Sequence, residues 1–320
     1  MKKLKIGFIV FVVHTTFSYV AVAEVSSTPQ VPESLISVPV DGYILDTVSK
    51  ALPEQKQVGA EFLDPVYDPN LVFTADAQVS VTFISEGAGY KNSLGYFAYD
   101  ADTFDNLTFG NIDVDNSGYI SAKEIQNLDG VSDVGIIFGN ASGAGGYAGN
   151  GGVLETGDTF VIGDGVYTAE GDGWSITGGD VFSENTRMGF FVAANAWNGS
   201  SVNSWDNDYE VKTYWTEDFL NPENSADATQ DNSGDVSRHV AMLNIEGENQ
   251  LLLGFEDLTR PGGDNDFNDA VFLIRTTPED GFNQENLPSV NPAPSPGIGA
   301  IASVIFSGAV FAARRKRKRK

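Results

Sequence analysis

The sequence predicts a mainly β protein, a β-sandwich or jelly-roll-like domain with a short helix near its N-terminal end. Three observations carry this. Apolar residues recur in short runs, several of them alternating with polar ones, as a strand with one face on a core requires. Gly, Asn and Asp punctuate the runs, and glycine alone contributes 35 residues, a mix that suits tight turns more than helices. Aromatic residues are plentiful and cysteine is absent, so packing must hold the core, and disulfides, thiol chemistry and cysteine-ligated metals are excluded.

Taken in order, residues 24–40 are rich in Ser, Pro and Val and read as a linker. Residues 43–52 (YILDTVSKAL) place Ile44, Leu45, Val48, Ala51 and Leu52 at helical spacing, stopped by Pro53. This helix is expected to cover one end of a β core. Residues 78–85 alternate through Val79, Val81 and Phe83 and predict a half-buried strand. Further strands are predicted over 94–99, 134–138, 159–162, 189–193, 211–215, 240–245, 251–255 and 270–275. No repeat at a fixed period is present. A chain of 320 residues accommodates one large β domain, placed here at 41–276, followed by a polar, Pro-bearing linker at 277–296.

Charge is very uneven. Of 19 Lys and Arg, three lie in the first five residues and seven in the last seven, and every acid falls between Glu24 and Glu285. That stretch sets 44 acids against 9 bases, a formal charge of −35. Such a surface repels nucleic acid and attracts divalent cations. Residues 1–23 read as a signal peptide: Lys2, Lys3 and Lys5, then an apolar run, then Ala21-Val22-Ala23 before the cut. Residues 297–313 are apolar and uncharged, and 314–320 wholly basic. At 1.5 Å per residue the apolar part reaches roughly 25 Å, a marginal span whose basic flank stays cytoplasmic.

The sharpest local motif is DVDNSGYISAKE, residues 113–124. It fills a twelve-residue EF-hand-like calcium loop. Asp113, Asp115 and Ser117 take positions 1, 3 and 5, and Gly118 makes the turn at 6. Tyr119 offers its carbonyl at 7, Ser121 sits at 9, and Glu124 at 12 can give two oxygens. Ser117 stands where Asp or Asn is usual, which removes a charge and weakens binding. The stretch before it, DTFDNLTFGN, is a poor helix former. A lone loop of this type inserted in a β domain is similar to the calcium loops of dockerins. The plain alternative is an Asp/Ser/Gly turn.

A second acidic stretch spans 254–272, GFEDLTRPGGDNDFNDAVF, with five acidic side chains and two asparagines. Apolar runs bound it on both sides, so it reads as two strands joined by a carboxylate-rich loop. Glu256, Asp257, Asp264, Asp266, Asn268 and Asp269 are its candidate metal ligands. Crowded anions need water or a cation to screen them, and hard oxygens favour calcium over zinc or copper. A solvated acidic hairpin is the competing reading.

GFEDL, GGD and DFNDAVF in this stretch resemble the signature of the bacterial family called domain of unknown function 4114. The strand at Val81-Thr82-Phe83, the EGAGYKNSLGYFAYD segment (86–100), the segments at 140–159 and 188–197, and His239-Val240 are similar to other parts of that family, so the resemblance runs over 45–276. It implies a mainly β, secreted or surface-associated domain and no settled activity. Pro292-Ala293-Pro294, the apolar segment and the basic tail resemble PEP-CTERM sorting signals, with Pro-Ala-Pro for the usual Pro-Glu-Pro. That resemblance implies export across the inner membrane, a membrane association through the C-terminal segment before processing, an exosortase-type sorting protease as partner, and a Gram-negative-type envelope or surface location. A plain membrane anchor is the alternative.

Catalytic signals are thin. His14 lies in the signal, leaving His239, which is expected to pin a strand. No G-x-S-x-G elbow and no phosphate loop occur. Trp174, Trp197, Trp205, Tyr209, Tyr214 and Trp215 lie in or near Gly- and Asn-rich stretches, where core packing is preferred to a sugar platform for most. The sequence therefore points to a calcium-binding, non-catalytic β module for attachment to extracellular polysaccharide or another surface protein. The alternative is a calcium-dependent glycan-active hydrolase using acidic-loop carboxylates.

Overall fold

A computed structural model of the chain describes residues 29–64, 71–145, 151–171, 173–202, 211–225, 237–245, 249–260, 262–283 and 289–290. The expected signal at 1–23, the apolar and basic segments at 297–320, residues 24–28 of the first linker, residues 284–288 and 291–296 of the second, Trp205 and Tyr209 lie outside the described residues. Among the described residues no helix is long and apolar enough to cross a membrane.

Two β-sheets pack face to face. The larger, seven-stranded sheet runs in the order β1 (Ile36–Ser37), β6 (Asp158–Val161), β3 (Gln78–Ser85), β13 (Ala270–Thr277), β12 (Gln250–Phe255), β11 (Val240–Ile245) and β14 (Ser289–Val290). Its pairings are antiparallel except β11 with β14. The five-stranded sheet holds β10 (Thr213–Trp215), β9 (Arg187–Ala193), β4 (Ser93–Tyr99) and β5 (Val131–Phe138), with β2 (Leu71–Val72) also on β9. Alternate side chains of both sheets meet between them: Val79, Val81, Phe272 and Leu253 from one, Leu94, Tyr96, Phe190 and Val192 from the other. This period-two division is what a sandwich requires.

The outer faces are also covered, which corrects the half-buried expectation for residues 78–85. Only the end residues of β3 are partly exposed. Helix α1 (Gly42–Ala51) lays Ile44 and Val48, with Leu52 after it, on Ala241, Leu243, Leu252, Val271 and Leu273. Burying each such side chain contributes about 1.5–3 kcal/mol. Beside α1, a hairpin of β7 (Val166–Glu170) and β8 (Gly173–Thr177), unforeseen in the sequence, packs Tyr167, Trp174 and Ile176 against Val161. The buried Arg275 guanidinium lies over the Tyr167 and Trp174 rings and gives Nε to Gln250.

The predicted strands form, two of them (78–85 and 240–245) residue for residue. Strand β5 begins at Val131, before the predicted start, and β10 begins at Thr213, after it. The described aromatics follow the packing expectation: Trp174, Trp197, Tyr214 and Trp215 are all buried.

Candidate metal centres

The first centre is inserted between the paired strands β4 and β5. A one-turn helix α2 (Phe109–Ile112) leads into it and α3 (Ala122–Gln126) leads out. The incoming stretch thus does form a helical turn despite its composition. It is closed by Asn111 Oδ1, which accepts from the Thr108 amide at 3.0 Å, and by Phe109 and Ile112, which pack under it. Ile120, Ala122 and Ile125 join Phe97, Tyr99, Phe191 and Trp215 on the outer face of the smaller sheet. Trp215 Nε1 donates to the Ile120 carbonyl at 3.2 Å. The middle of the loop is therefore pinned to the core.

Between these anchors the chain turns through left-handed backbone at Asn116 (φ 57°) and Gly118 (φ 82°). The turn folds amide groups onto the Asp113 carboxylate: Ser117 N–H reaches Oδ1 at 3.0 Å and Gly118 N–H reaches Oδ2 at 3.1 Å. Glu124 Oε1 accepts from Val114 N–H at 2.9 Å, and Oε2 accepts from Ser121 N–H at 2.8 Å. Ser121 Oγ accepts in return from Glu124 N–H, capping α3. Oxygens of Asp113, Asp115 and Glu124 lie within 4.8 Å of one another, so this group can hold a metal ion. Ser117 Oγ donates to the Tyr119 carbonyl at 2.8 Å. Burial raises the pKa of Asp113, with the Asp115 carboxylate adding to the rise and the Gly118 and Ser117 amides opposing it.

The second centre is the loop from β12 to β13. Its apex is shaped by left-handed backbone at Asn265 (φ 59°) and Phe267 (φ 57°), and the Phe267 ring is buried beneath α1. Arg260 lies over that ring, 5.1 Å from its centroid, and donates Nε to Asn265 Oδ1 at 2.7 Å. The loop is stitched to distant segments. Gln55 N–H donates to Asp266 Oδ2 at 2.7 Å, Val58 N–H to the Asn265 carbonyl at 2.9 Å, and Asn92 Nδ2 to Asp257 Oδ2 at 2.6 Å.

Oxygens of Glu256, Asp264 and Asp266 lie within 4.8 Å of one another and form a second group that can hold a metal ion. The other three expected ligands point elsewhere. Asp257 faces Asn92, Asp269 accepts from the Asp257 amide at 2.8 Å, and Asn268 donates to Glu54 at 3.1 Å. Sequence reasoning did not identify the roles of Gln55, Glu54, Asn92 and Gly263. Asn92 lies within the EGAGYKNSLG segment and Gly263 within the GGD of the family-like stretch, but neither segment shows which side chain it meets. A Cβ at Gly263 would overlap Glu256 Oε1.

Burial dominates the electrostatics here. It pushes the Glu256 carboxyl up to about 7, helped by the charges of Asp264, Asp257 and Asp266 and opposed by the Asn265 amide. Burial raises Asp266 as well, against the Gln55 and Asn268 amides that favour its anion. The buried Asp257 and Asp269 are both pushed up by desolvation, each also feeling neighbouring carboxylates. A loop that raises so many carboxyls at once is held together poorly as a set of anions and well around a cation.

Residues 182–277 match the model of the family described as Domain of unknown function (DUF4114). The match supports the family resemblance over that stretch and includes the second centre; the first centre lies before it. No curated protein and no solved structure matches the chain.

Proposed function

We propose that this chain is an exported, envelope-associated β module that binds calcium and attaches to extracellular polysaccharide or another surface protein, without catalysing a reaction. The observation that carries the calcium reading is the loop at 113–124. Its three carboxylates converge within 4.8 Å between two short helices whose apolar residues are fixed to the sheet. All-oxygen donors, a glycine turn at the sixth position and a glutamate at the twelfth suit calcium in preference to softer metals. The loop reads as EF-hand-like, with affinity of roughly 10⁻⁴–10⁻³ M, as in extracellular modules.

Export and sorting are supported by the basic and apolar start at 1–23 and by the PEP-CTERM-like order of Pro-Ala-Pro, apolar segment and basic tail. The binding role is supported by the strongly anionic composition, which draws divalent cations to the surface. Calorimetric titration of calcium into the purified protein tests the central claim. Binding that is lost from one site in Glu124→Gln is expected; unchanged stoichiometry in that variant reduces the loop to a turn. A glycan array alongside a reducing-sugar release assay is expected to show binding without turnover.

A further inference from the structure

We propose that Glu256, Asp264 and Asp266 form a second, independent divalent-cation site whose ion clamps the β12–β13 loop onto the turn that follows α1. Proximity of the three carboxylates is the first observation. The second is the state of Glu256, which is 0% exposed and has no well-formed hydrogen bond on either carboxylate oxygen, the nearby Asn265 amide failing to complete one. Buried polar groups are nearly always paired, and a buried carboxylate left alone is strongly disfavoured. Among the described residues Glu256 is the one carboxylate with both oxygens buried and unpaired. Its neighbours are satisfied: Asp257 by Asn92, Asp269 by the Asp257 amide, and Asp266 by the amides of Gln55 and Asn268.

No cationic side chain among the described residues fills the gap. Among the described residues no salt bridge reaches Glu256, and Arg260 gives Nε to Asn265 and Nη1 to the Arg238 carbonyl. Glu256 cannot swing away to find water, because its main chain is held by His239 on one side and Gly263 packs against its carboxylate on the other. Its carboxylate clusters with those of Asp264 and Asp266, ligand atoms of all three lying within 4.8 Å of one another. An ion there would satisfy both oxygens and neutralise three converging anions.

The donors set the class of ion. All are hard carboxylate oxygens, which select calcium or magnesium over zinc or copper. Asp264 is exposed while its two partners are buried, which leaves one side for the ion to enter and to keep water. Asp266 also accepts from the Gln55 amide, and Asn265 from that of Val58. The ion therefore fixes the loop against the segment that carries α1 onto the sheet. This site involves none of the residues of the loop at 113–124 and stands or falls apart from it.

The test uses the full chain carrying Glu124→Gln, stripped with chelator, dialysed and titrated with calcium and, separately, with magnesium. Retention of one saturable site is expected. Adding Glu256→Gln, which keeps the shape and removes the buried charge, is expected to abolish that site and the accompanying rise in melting temperature, while leaving the metal-free melting temperature equal or higher. Asp264→Asn, an exposed change that should leave the metal-free melting temperature essentially unchanged, is expected to weaken binding at least tenfold. Titrations unchanged by Asp264→Asn, or no binding at all in the Glu124→Gln background, would overturn the proposal.

Discussion

Glu256 and His239 are tied together twice through the main chain of Glu256. Its amide donates to the His239 carbonyl at 3.0 Å, and the His239 ring Nδ1 donates to the Glu256 carbonyl at 3.0 Å. The imidazole is itself fixed by stacking on Tyr214, 4.1 Å between centroids, and by Glu223 Oε1 at 3.1 Å from Nε2. His239 is fully buried. Its position explains how a side chain with no well-formed hydrogen bond is kept aimed at Asp264 and Asp266: the backbone below it has no freedom to turn.

Removing that clamp therefore damages both stability and metal binding. His239→Ala strips the Tyr214 stack, leaves the Glu256 carbonyl unpaired in the interior and leaves Glu223 Oε1 with the Arg260 amide alone. A loss of about 2–4 kcal/mol is expected, the usual size for breaking a buried polar network. Urea unfolding in chelator measures it, and a change below about 0.5 kcal/mol would show that the ring is dispensable.

Acidity gives a second, signed expectation. The folded pKa of Glu256 is about 7, raised from 4.5 by burial and by neighbouring carboxylates. In a metal-free protein the folded state then binds the proton more tightly than the unfolded chain. The contribution is fully present below about pH 4.5 and is lost as pH rises through 7. Asp257 and Asp269 act in the same direction. A tenfold change in a proton affinity is worth about 1.4 kcal/mol. Chelated protein is expected to melt several degrees lower at pH 8 than at pH 5.5, and saturating calcium is expected to narrow that gap by stabilising the anions. A chelated melting temperature that rises from pH 5.5 to pH 8 contradicts the burial-driven shifts.

The first loop depends on its core anchor in a different way. Ile120 is fully buried, and its carbonyl accepts from Trp215 Nε1. Ile120→Ala opens a cavity under the loop and is expected to cost about 2–4 kcal/mol. It should also weaken calcium binding at this loop, because Tyr119 and Ser121 flank it. Val114, exposed at 71%, is the control: Val114→Ala is expected to change stability by less than about 0.5 kcal/mol. Paired calorimetry and urea unfolding on the two variants check both statements.

Much of this arrangement is legible from local pattern. Strand β3 stands out because its apolar residues recur with period two, β11 because it is a short, nearly continuous apolar run, and α1 because Ile44, Val48 and Leu52 share one helical face. The calcium-type spacing from Asp113 to Glu124 is likewise contained in twelve neighbouring residues. What escaped depends on tertiary contact. Residues 78–85 alternate as though one face met water, yet α1 and the β7–β8 hairpin cover that face, with Thr82 Oγ1 bonded to Thr159 Oγ1 and to Arg275. The hairpin itself alternates through Tyr167, Trp174 and Ile176, a signal masked by Thr, Ser and Gly around it. In the second acidic loop the sequence offers six equivalent ligands. Only folding separates Glu256, Asp264 and Asp266 from Asp257, Asn268 and Asp269, because Asn92, Glu54 and Gln55 arrive from far along the chain.

The matched stretch at 182–277 makes a last prediction about what folds. It supplies β9 and β10 to the smaller sheet and β11, β12 and β13 to the larger. Each group ends on a strand whose partner lies earlier in the chain: β9 pairs with β4 through seven residue positions from Ser93 to Tyr99, and β13 pairs with β3 from Gln78 to Ser85. Expressed alone, residues 182–277 would present both of these strands as open, apolar edges, which invite pairing with other chains. Phe272 and Phe190 would lose Phe83, Leu94 and Tyr96, which sit with them between the sheets. The fragment is expected to aggregate or to lack a cooperative melt by circular dichroism, and co-expression with residues 29–181 is expected to restore a soluble complex. A monomeric, cooperatively melting fragment would mean that the matched stretch closes its own core by a different strand pairing.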